Sequence, residues 1–238
     1  MKKILFFTFI TIICGGFGFR LGKPLKKVLI HFDDAYESVY KLAYPCMKKA
    51  GFVGTVFVPG SFIGKNEFME WEELIEMERE GWEIGGHGYY HINLNSVSAE
   101  VCEKDVMMSF EVLKKHGLSP VSFAYPSEYG NPFINEIVFH YYQVIREKKY
   151  FSVRDDITME KIIEYLQQME NIEKPAILVF HHISNDMSSN KPRKISCDYS
   201  LFEELIEYLH SQQYETLLMK DMGIVWENNN QGGCFHHL

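Results

Sequence analysis

Three features typical of common protein classes are missing from this chain. None of its five cysteines belongs to a Cys-x-x-Cys pair, which excludes a zinc ribbon or a thioredoxin-like motif. Acidic and basic residues are interspersed at a net charge of −8 without a basic stripe, so nucleic acid is not an expected partner. No internal linker or repeat divides the 238 residues, and we therefore expect a single domain of undetermined oligomeric state.

Residues 1–19 differ from the rest of the chain. Lys2 and Lys3 precede an apolar run that is shorter than the about 20 residues of a membrane span, and a glycine-rich stretch follows. This order is typical of a secretory signal peptide, with an uncleaved membrane anchor as the alternative. We therefore expect an exported protein, secreted or tethered to a membrane, with its domain in residues 24–226. Residues 227–238 are polar and glycine-rich, which predicts a flexible tail.

Between the two ends, strand-like and helix-like segments alternate about seven times. Val28–Phe32 and Ala176–Phe180 are nearly continuous apolar runs, as expected for parallel strands that are buried on both faces. The alternation itself is typical of parallel strands covered by helices. The pattern predicts an α/β domain with a parallel sheet or barrel.

One short stretch, Gly85-Gly86-His87-Gly88-Tyr89-Tyr90-His91, holds two histidines four residues apart. That spacing places both imidazoles on one side of a helical turn or tight loop, from which they can reach one metal ion. Neutral imidazole suits zinc and its neighbours. Taken alone the pair is weak evidence, because a catalytic zinc usually has three protein ligands.

Polar residues follow four of the predicted strands at the point where each strand ends. Because active sites of parallel barrels and sheets form beyond the carboxyl ends of the strands, these residues are expected to converge. They are Asp33 and Asp34, then His87 and His91, then Ser127, and finally His181 and His182. The set predicts a metal site.

Adjacent Asp33 and Asp34 follow the first strand. Neighbours on a strand point to opposite faces, so one aspartate can bind a metal while the other acts beside it as a base. The alternative is that Asp34 caps a helix beginning near Glu37. Capping does not account for both aspartates behind a buried strand.

Four motifs together resemble the polysaccharide deacetylases with a NodB homology domain, carbohydrate esterase family 4. Their order and spacing agree with the family from about Lys27 to Met222. The motifs are Phe32-Asp33-Asp34, the stretch from Trp82 to His91, Phe123-Ala124-Tyr125-Pro126, and Val179-Phe180-His181.

The resemblance implies a single distorted (β/α) barrel of about seven parallel strands. It also implies a hydrolase that removes acetyl groups, chiefly N-acetyl, from an acetylated glycan. The expected cofactor is a divalent metal, Zn²⁺ first, with Co²⁺, Ni²⁺ or Mn²⁺ as alternatives. Carried onto this sequence, the resemblance makes Asp34, His87 and His91 the metal ligands. It makes Asp33 the general base and His181 the general acid. The Ser127 N–H is then the oxyanion donor, and the pocket is lined by Tyr125, Pro126 and Val179.

The two adjacent histidines are expected to differ in role. On an extended strand only one of them faces the site. Val179 lies two residues before His181 and shares its face, where it can line a small acetyl pocket. His182 is therefore expected to lie behind the site.

The chain departs from the family at positions that support the site. The family usually has threonine where this chain has His31 and glycine where it has Ala35. It usually has serine or threonine in place of Gly88, and arginine in place of Ala124. The family's fourth motif, an Asp-Trp pair, is also absent near Arg154, which is a candidate replacement for the missing arginine. Supporting residues commonly change affinity and activity 10–100-fold. The main alternative is therefore a carbohydrate-binding pseudoenzyme that keeps the fold and metal site, and a further alternative is a membrane-tethered structural protein.

Overall fold

A computed structural model describes residues 26–127, 130–146, 148–185 and 194–222. The predicted signal peptide or anchor of residues 1–19 and the predicted tail of residues 227–238 lie outside the described residues. Within the described ranges, no helix combines the length and the apolar character that crossing a membrane requires.

Ten strands are present in the described part of the chain. The strands are β1 (Lys27–Asp33), β2 (Thr55–Val58), β3 (Glu83–Gly86), β4 (Ser122–Ala124), β5 (Val144–Arg146), β6 (Phe151–Ser152), β7 (Ala176–Phe180), β8 (His182–Ser184), β9 (Ser196–Asp198) and β10 (Glu215–Leu217).

Eight of these strands form one parallel sheet in the order β5-β4-β3-β2-β1-β7-β6, with β10 also paired to β1. The central strand β1 is shared along its length: Lys27–Leu29 pair with β10, whereas His31–Asp33 pair with β2. The sheet curls into a half-barrel covered by helices, which confirms the predicted distorted barrel of about seven parallel strands. Strands β8 and β9 form a separate parallel pair.

Within the described ranges, six α-helices connect the strands. They are α1 (Tyr44–Lys49), α2 (Trp71–Arg79), α3 (Ala99–Lys115), α4 (Pro132–Phe139), α5 (Met159–Asn171) and α6 (Tyr199–Ser211). The side chain of Ser98 caps α3 by accepting the N–H of Val101, as its sequence position predicts. A helical stretch begins at Glu37, as expected, and continues through a π-helical turn, Val39–Ala43, into α1. Tyr36 directly precedes it and the N–H of Glu37 donates to the carbonyl of Glu67, so the capping alternative for Asp34 is wrong.

The alternation of side chains along β1 separates two environments. Val28, Ile30 and Phe32 belong to the large cluster between the sheet and the helices. Leu29 belongs to a smaller cluster inside the curl of the sheet. Because successive side chains on a strand point to opposite faces, Asp33 shares the interior face with Leu29. The strand therefore delivers Asp33 to the mouth of the half-barrel.

Candidate active site

The loops at this mouth contain an unusual density of left-handed backbone. Asp34 (φ 71°) and Ala35 (φ 54°) follow β1, His91 (φ 56°) follows β3, and Ser127 (φ 62°) follows β4. Non-glycine residues held in this region store strain, which concentrates at functional sites. The left-handed angle at Ala35 also explains why the related family usually has glycine there, since glycine has no Cβ penalty.

Asp34, His87 and His91 come together as a candidate metal site. One ligand atom from each lies within 4.8 Å of the other two. Asp34 Oδ1 is 3.0 Å from His91 Nε2 and 3.6 Å from His87 Nε2. That carboxylate oxygen is buried without a well-oriented hydrogen bond to any described residue. An oxygen and two imidazole nitrogens facing one another are a donor set suited to a divalent cation.

The main chain of β4 orients His87. Its Nδ1 lies 2.8 Å from the carbonyl oxygen of Ala124, and in that contact Nδ1–H is the donor. The lone pair of Nε2 is then directed toward Asp34, which is the arrangement that metal-bound histidines usually show. Burial lowers the pKa of His87 to about 4, so the ring is neutral and able to ligate.

His91 and Asp34 stabilise each other's charged forms. Burial acts to lower the pKa of His91, but the contact with the Asp34 carboxylate outweighs burial and raises it. Burial likewise acts to raise the pKa of Asp34, and the contacts with His91 and His87 lower it. Asp34 is therefore ionised, as a metal-binding carboxylate must be.

Asp33 makes a buried ion pair with Arg146, the last residue of β5. Nη1 and Nη2 of the guanidinium donate to Oδ1 and Oδ2, each at 2.7 Å. The guanidinium also lies 4.9 Å from the ring centroids of Phe57 and Tyr150. Burial alone would raise the pKa of Asp33, but Arg146 holds it well below the usual range. The carboxylate is consequently ionised and fixed in one orientation.

Arg146 is the site residue that sequence reasoning missed. Arg154, the residue suggested by the sequence as the replacement for the family's arginine, is exposed, so that prediction is wrong. The correct residue carries the same signal as the predicted ones, because it is a polar residue at the end of an apolar strand. Its strand has only three residues, an apolar pattern too short to be distinguished from part of a helix, so the sequence alone does not single out Arg146.

The two histidines after β7 take different positions. His181 Nε2 lies 3.9 Å from Asp33 Oδ2. His182 instead has its Nδ1 3.1 Å from the hydroxyl of Ser196 and packs edge-on against Tyr36. This is the predicted separation, with His181 toward Asp33 and His182 behind it. The catalytic role assigned to His181 stays a prediction.

In the part of the chain that the structure describes, the family's fourth motif has no counterpart beside His181. The Nδ1 of His181 is buried and makes no hydrogen bond to any described residue. Asp155 and Asp156, the carboxylates in the region where the motif is expected, are both exposed. Among the described residues, the Nδ1 of His181 therefore has no carboxylate partner of the kind that commonly fixes the orientation of a catalytic histidine.

The residue that replaces the family's threonine before the two aspartates is a fully buried histidine. His31 packs edge-on against Phe57, with ring centroids 5.3 Å apart. Burial lowers the pKa of His31 to about 3, so its ring is neutral. It lies on the interior face of β1, in the layer below Asp33.

The predicted pocket residues lie in different environments. Val179 is fully buried in β7 opposite His31, and Ser127 is exposed in the turn after β4. Pro126 packs close to Gly88 in the histidine loop. The Tyr125 side chain belongs to a cluster between the sheet and α4, and its hydroxyl donates to Asn135 Oδ1 at 2.5 Å. That side chain is therefore committed to packing outside the barrel.

Comparison with known proteins gives consistent matches. The family profile described as polysaccharide deacetylase matches residues 21–143. The chain is 39% identical over 79 residues to the putative polysaccharide deacetylase YxkH of Bacillus subtilis, covering 33% of this chain and 28% of that protein. It is 31% identical over 118 residues to the poly-β-1,6-N-acetyl-D-glucosamine N-deacetylase of Staphylococcus aureus, covering 43% of this chain and 41% of that protein. The chain thus matches less than half the length of these curated relatives.

A solved structure shares the fold. The CE4 family pseudoenzyme from Bacillus anthracis superposes with a TM-score of 0.62 at 16% identity, covering 84% of this chain and 66% of that one. At this identity the likeness establishes the architecture alone.

Replacing Arg146 by methionine tests the buried ion pair. Arg146→Met keeps an apolar stem but leaves Asp33 as an unpaired buried charge, which should lower the free energy of unfolding by about 3–5 kcal/mol. Arg154→Met is the matched control and should change it by less than about 0.5 kcal/mol, because Arg154 is exposed. Urea denaturation measures both. Equal losses in the two variants would contradict the assignment of the ion pair.

Proposed function

The chain belongs to the polysaccharide deacetylase family, and we propose that it hydrolyses acetyl groups, chiefly N-acetyl, from a carbohydrate polymer or oligosaccharide. The observation that carries this proposal is the convergence of five predicted side chains at the mouth of the half-barrel. They are Asp33, Asp34, His87, His91 and His181. Such a set can bind a metal, take up a proton and donate one.

The donor set fits a divalent metal, with zinc as the proposed ion. One carboxylate and two imidazoles are three protein ligands, the number typical of catalytic zinc sites that keep a position open for water or substrate. The orphaned Asp34 oxygen and the neutral, oriented ring of His87 support this fit. Bound there, a divalent cation would supply Lewis acidity and lower the pKa of a coordinated water.

Asp33 is the proposed general base. Its carboxylate is held by Arg146 in one orientation, beside Asp34 in the chain and 3.9 Å from His181. Because Arg146 keeps its pKa low, Asp33 is ionised at neutral pH but is a weak base. A weak base is effective only toward a water molecule of unusually low pKa, which is what a metal site provides.

His181 is the proposed general acid. The products of amide hydrolysis are acetate and an amine, and the amine nitrogen must receive a proton as its bond to the carbonyl carbon breaks. An imidazole can donate that proton near neutral pH. We assign the oxyanion to the backbone N–H of Ser127 and the acetyl methyl group to the interior face of β7 at Val179.

The proposed substrate class is a polymer containing N-acetylglucosamine. The support for this class is the similarity to the staphylococcal poly-β-1,6-N-acetyl-D-glucosamine N-deacetylase. Glycan recognition depends on loops outside the shared motifs, so the linkage of the polymer is not part of the proposal.

Metal loading tests the ligand assignment. After incubation with zinc and dialysis, the wild-type protein should retain about one ion per chain by elemental analysis. His87→Ala and His91→Ala should each lose it, because two ligands rarely suffice. His140→Ala, at the exposed end of α4, is the control and should bind as wild type does. A wild-type protein that retains no metal would show the site assignment to be wrong.

Acetate release from acetylated chitooligosaccharides and poly-N-acetylglucosamine tests the reaction. Asp33→Asn and His181→Ala should each reduce turnover on the order of 10²-fold or more while metal remains bound, as expected for a lost base or acid. His182→Ala is the matched control and should have a much smaller effect, since its ring packs on Tyr36.

Two outcomes would contradict the catalytic proposal. Loss of turnover in His182→Ala with a near-normal His181→Ala would reverse the acid assignment. Glycan binding by the wild-type protein without acetate release from any acetylated glycan would favour a carbohydrate-binding pseudoenzyme.

We also propose that the protein acts outside the cytoplasm, because Lys2 and Lys3 precede an apolar run typical of export signals. Cell fractionation should place the protein in the envelope or the medium, tethered or with a shortened N-terminus. A cytoplasmic protein with Met1 intact would contradict this proposal.

A further inference from the structure

Asp105 of α3 is a buried carboxylate outside the predicted site. Only 2% of the residue is exposed. Its Oδ2 accepts the backbone N–H of Tyr89 at 3.0 Å, and its Oδ1 accepts the backbone N–H of Tyr90 at 2.9 Å. Both carboxylate oxygens therefore accept a hydrogen bond, and the two donors are consecutive residues of one loop.

That loop is the segment between the two candidate metal-binding histidines. The loop after β2 holds the opposite edge of this segment by two backbone hydrogen bonds. The N–H of Gly60 donates to the carbonyl oxygen of Gly88 at 3.2 Å, and the N–H of Ser61 donates to the carbonyl oxygen of Tyr89 at 2.9 Å. The segment is not part of a helix or strand, so these bonds replace the regular hydrogen bonds that would otherwise fix it. The loop is clamped from two sides.

The Asp105 carboxylate occupies the space that a side chain at position 88 would need. A Cβ built on Gly88 would lie 2.6 Å from Asp105 Oδ2, and the residue has a φ of +70°. The family resemblance described above implies a serine or threonine at this position. In this chain a side chain at position 88 and the carboxylate at position 105 exclude each other.

We propose that Asp105 is a positioning residue that holds His87 and His91 at metal-binding separation, in place of the absent hydroxyl at position 88. Hydrogen bonds from backbone N–H groups to a carboxylate are charge-assisted and short, which makes them effective restraints. The same restraint maintains the left-handed conformation of His91, the residue after Tyr90. The consequence for metal binding rests on the function proposed above, whereas the restraint on the loop does not.

Measurements of zinc affinity test whether Asp105 supports metal binding. Asp105→Asn and Asp105→Ala should weaken zinc affinity about 10–100-fold in competition with a chromophoric chelator, as loss of a supporting partner usually does. The absorption spectrum of the cobalt(II)-loaded protein should also change, because the ligands are no longer held in one geometry. Ser109→Ala is the control on the same helix. It removes a buried hydrogen bond to Tyr142, and among the described residues Ser109 makes none to Tyr89 or Tyr90, so it should leave affinity within about twofold of wild type.

A double-mutant cycle tests whether a side chain at position 88 and the carboxylate of Asp105 exclude each other. In the wild-type background, Gly88→Ser places its Cβ against Asp105 and should weaken zinc affinity strongly. In the Asp105→Ala background the collision is gone, and Gly88→Ser should do much less harm or restore affinity. The backbone strain at position 88 is common to both backgrounds and cancels. Simple additivity of the two changes would overturn the proposed replacement.

Hydrogen exchange of the metal-free protein separates this inference from the metal site itself. The amides of Tyr89 and Tyr90 should be protected in the wild type and in Ser109→Ala, and should lose protection in both Asp105 variants. Unchanged protection in the Asp105 variants would refute the clamp, even if zinc binds. A protein that shows the predicted loss of protection but binds no metal would refute the proposed function and leave the clamp standing.

Discussion

The buried ion pair between Asp33 and Arg146 is the interaction on which the mouth of the half-barrel depends. Asp33 ends the central strand β1, and Arg146 ends β5 at the far edge of the sheet, with β2, β3 and β4 between them. A buried charge is tolerated only when it is paired. The sheet must therefore curl far enough to bring its edge over its centre. Once Asp33 is fixed by that pair, the following left-handed turn directs Asp34 toward the histidine loop. One ion pair thus couples the curvature of the sheet to the placement of both aspartates.

Around this pair, the loops are held by their own backbones rather than by regular structure. The segment after β1 exchanges hydrogen bonds with the loop after β2, from Glu37 N–H to the Glu67 carbonyl and from Met69 N–H to that of Ala35, both 2.9 Å long. The loop after β2 in turn holds the histidine segment. Residues in strained conformations persist only where their surroundings over-determine them, and these loops satisfy that condition. Such a preorganised arrangement is what electrostatic catalysis requires, because no reorganisation is then needed when charge develops.

Much of this arrangement could be predicted from the order of residues along the chain. The aspartates and histidines of the site stand at or shortly after the carboxyl ends of strands, and parallel topology brings such positions together. The separate positions of His181 and His182 follow from strand alternation. Arg146 obeys the same rule but is the last residue of a strand of only three, whose apolar pattern is too short to distinguish from a helix. Asp105 was not predictable by any spacing rule. It lies among charged residues on a helix, and its partners are backbone N–H groups whose positions exist only in the folded protein.

The central position of β1 has a consequence for the order of events during synthesis. This strand is the first of the sheet to be made, yet its neighbours β7 and β10 lie near the opposite end of the domain, with Lys27 pairing to Glu215. Domains generally fold as units while the chain emerges, and pairings distant in sequence form slowly. An incomplete chain therefore carries an apolar strand with one side uncovered until its last partners appear. The turn that bears both aspartates therefore acquires its final surroundings only when the last strands of the sheet have been made.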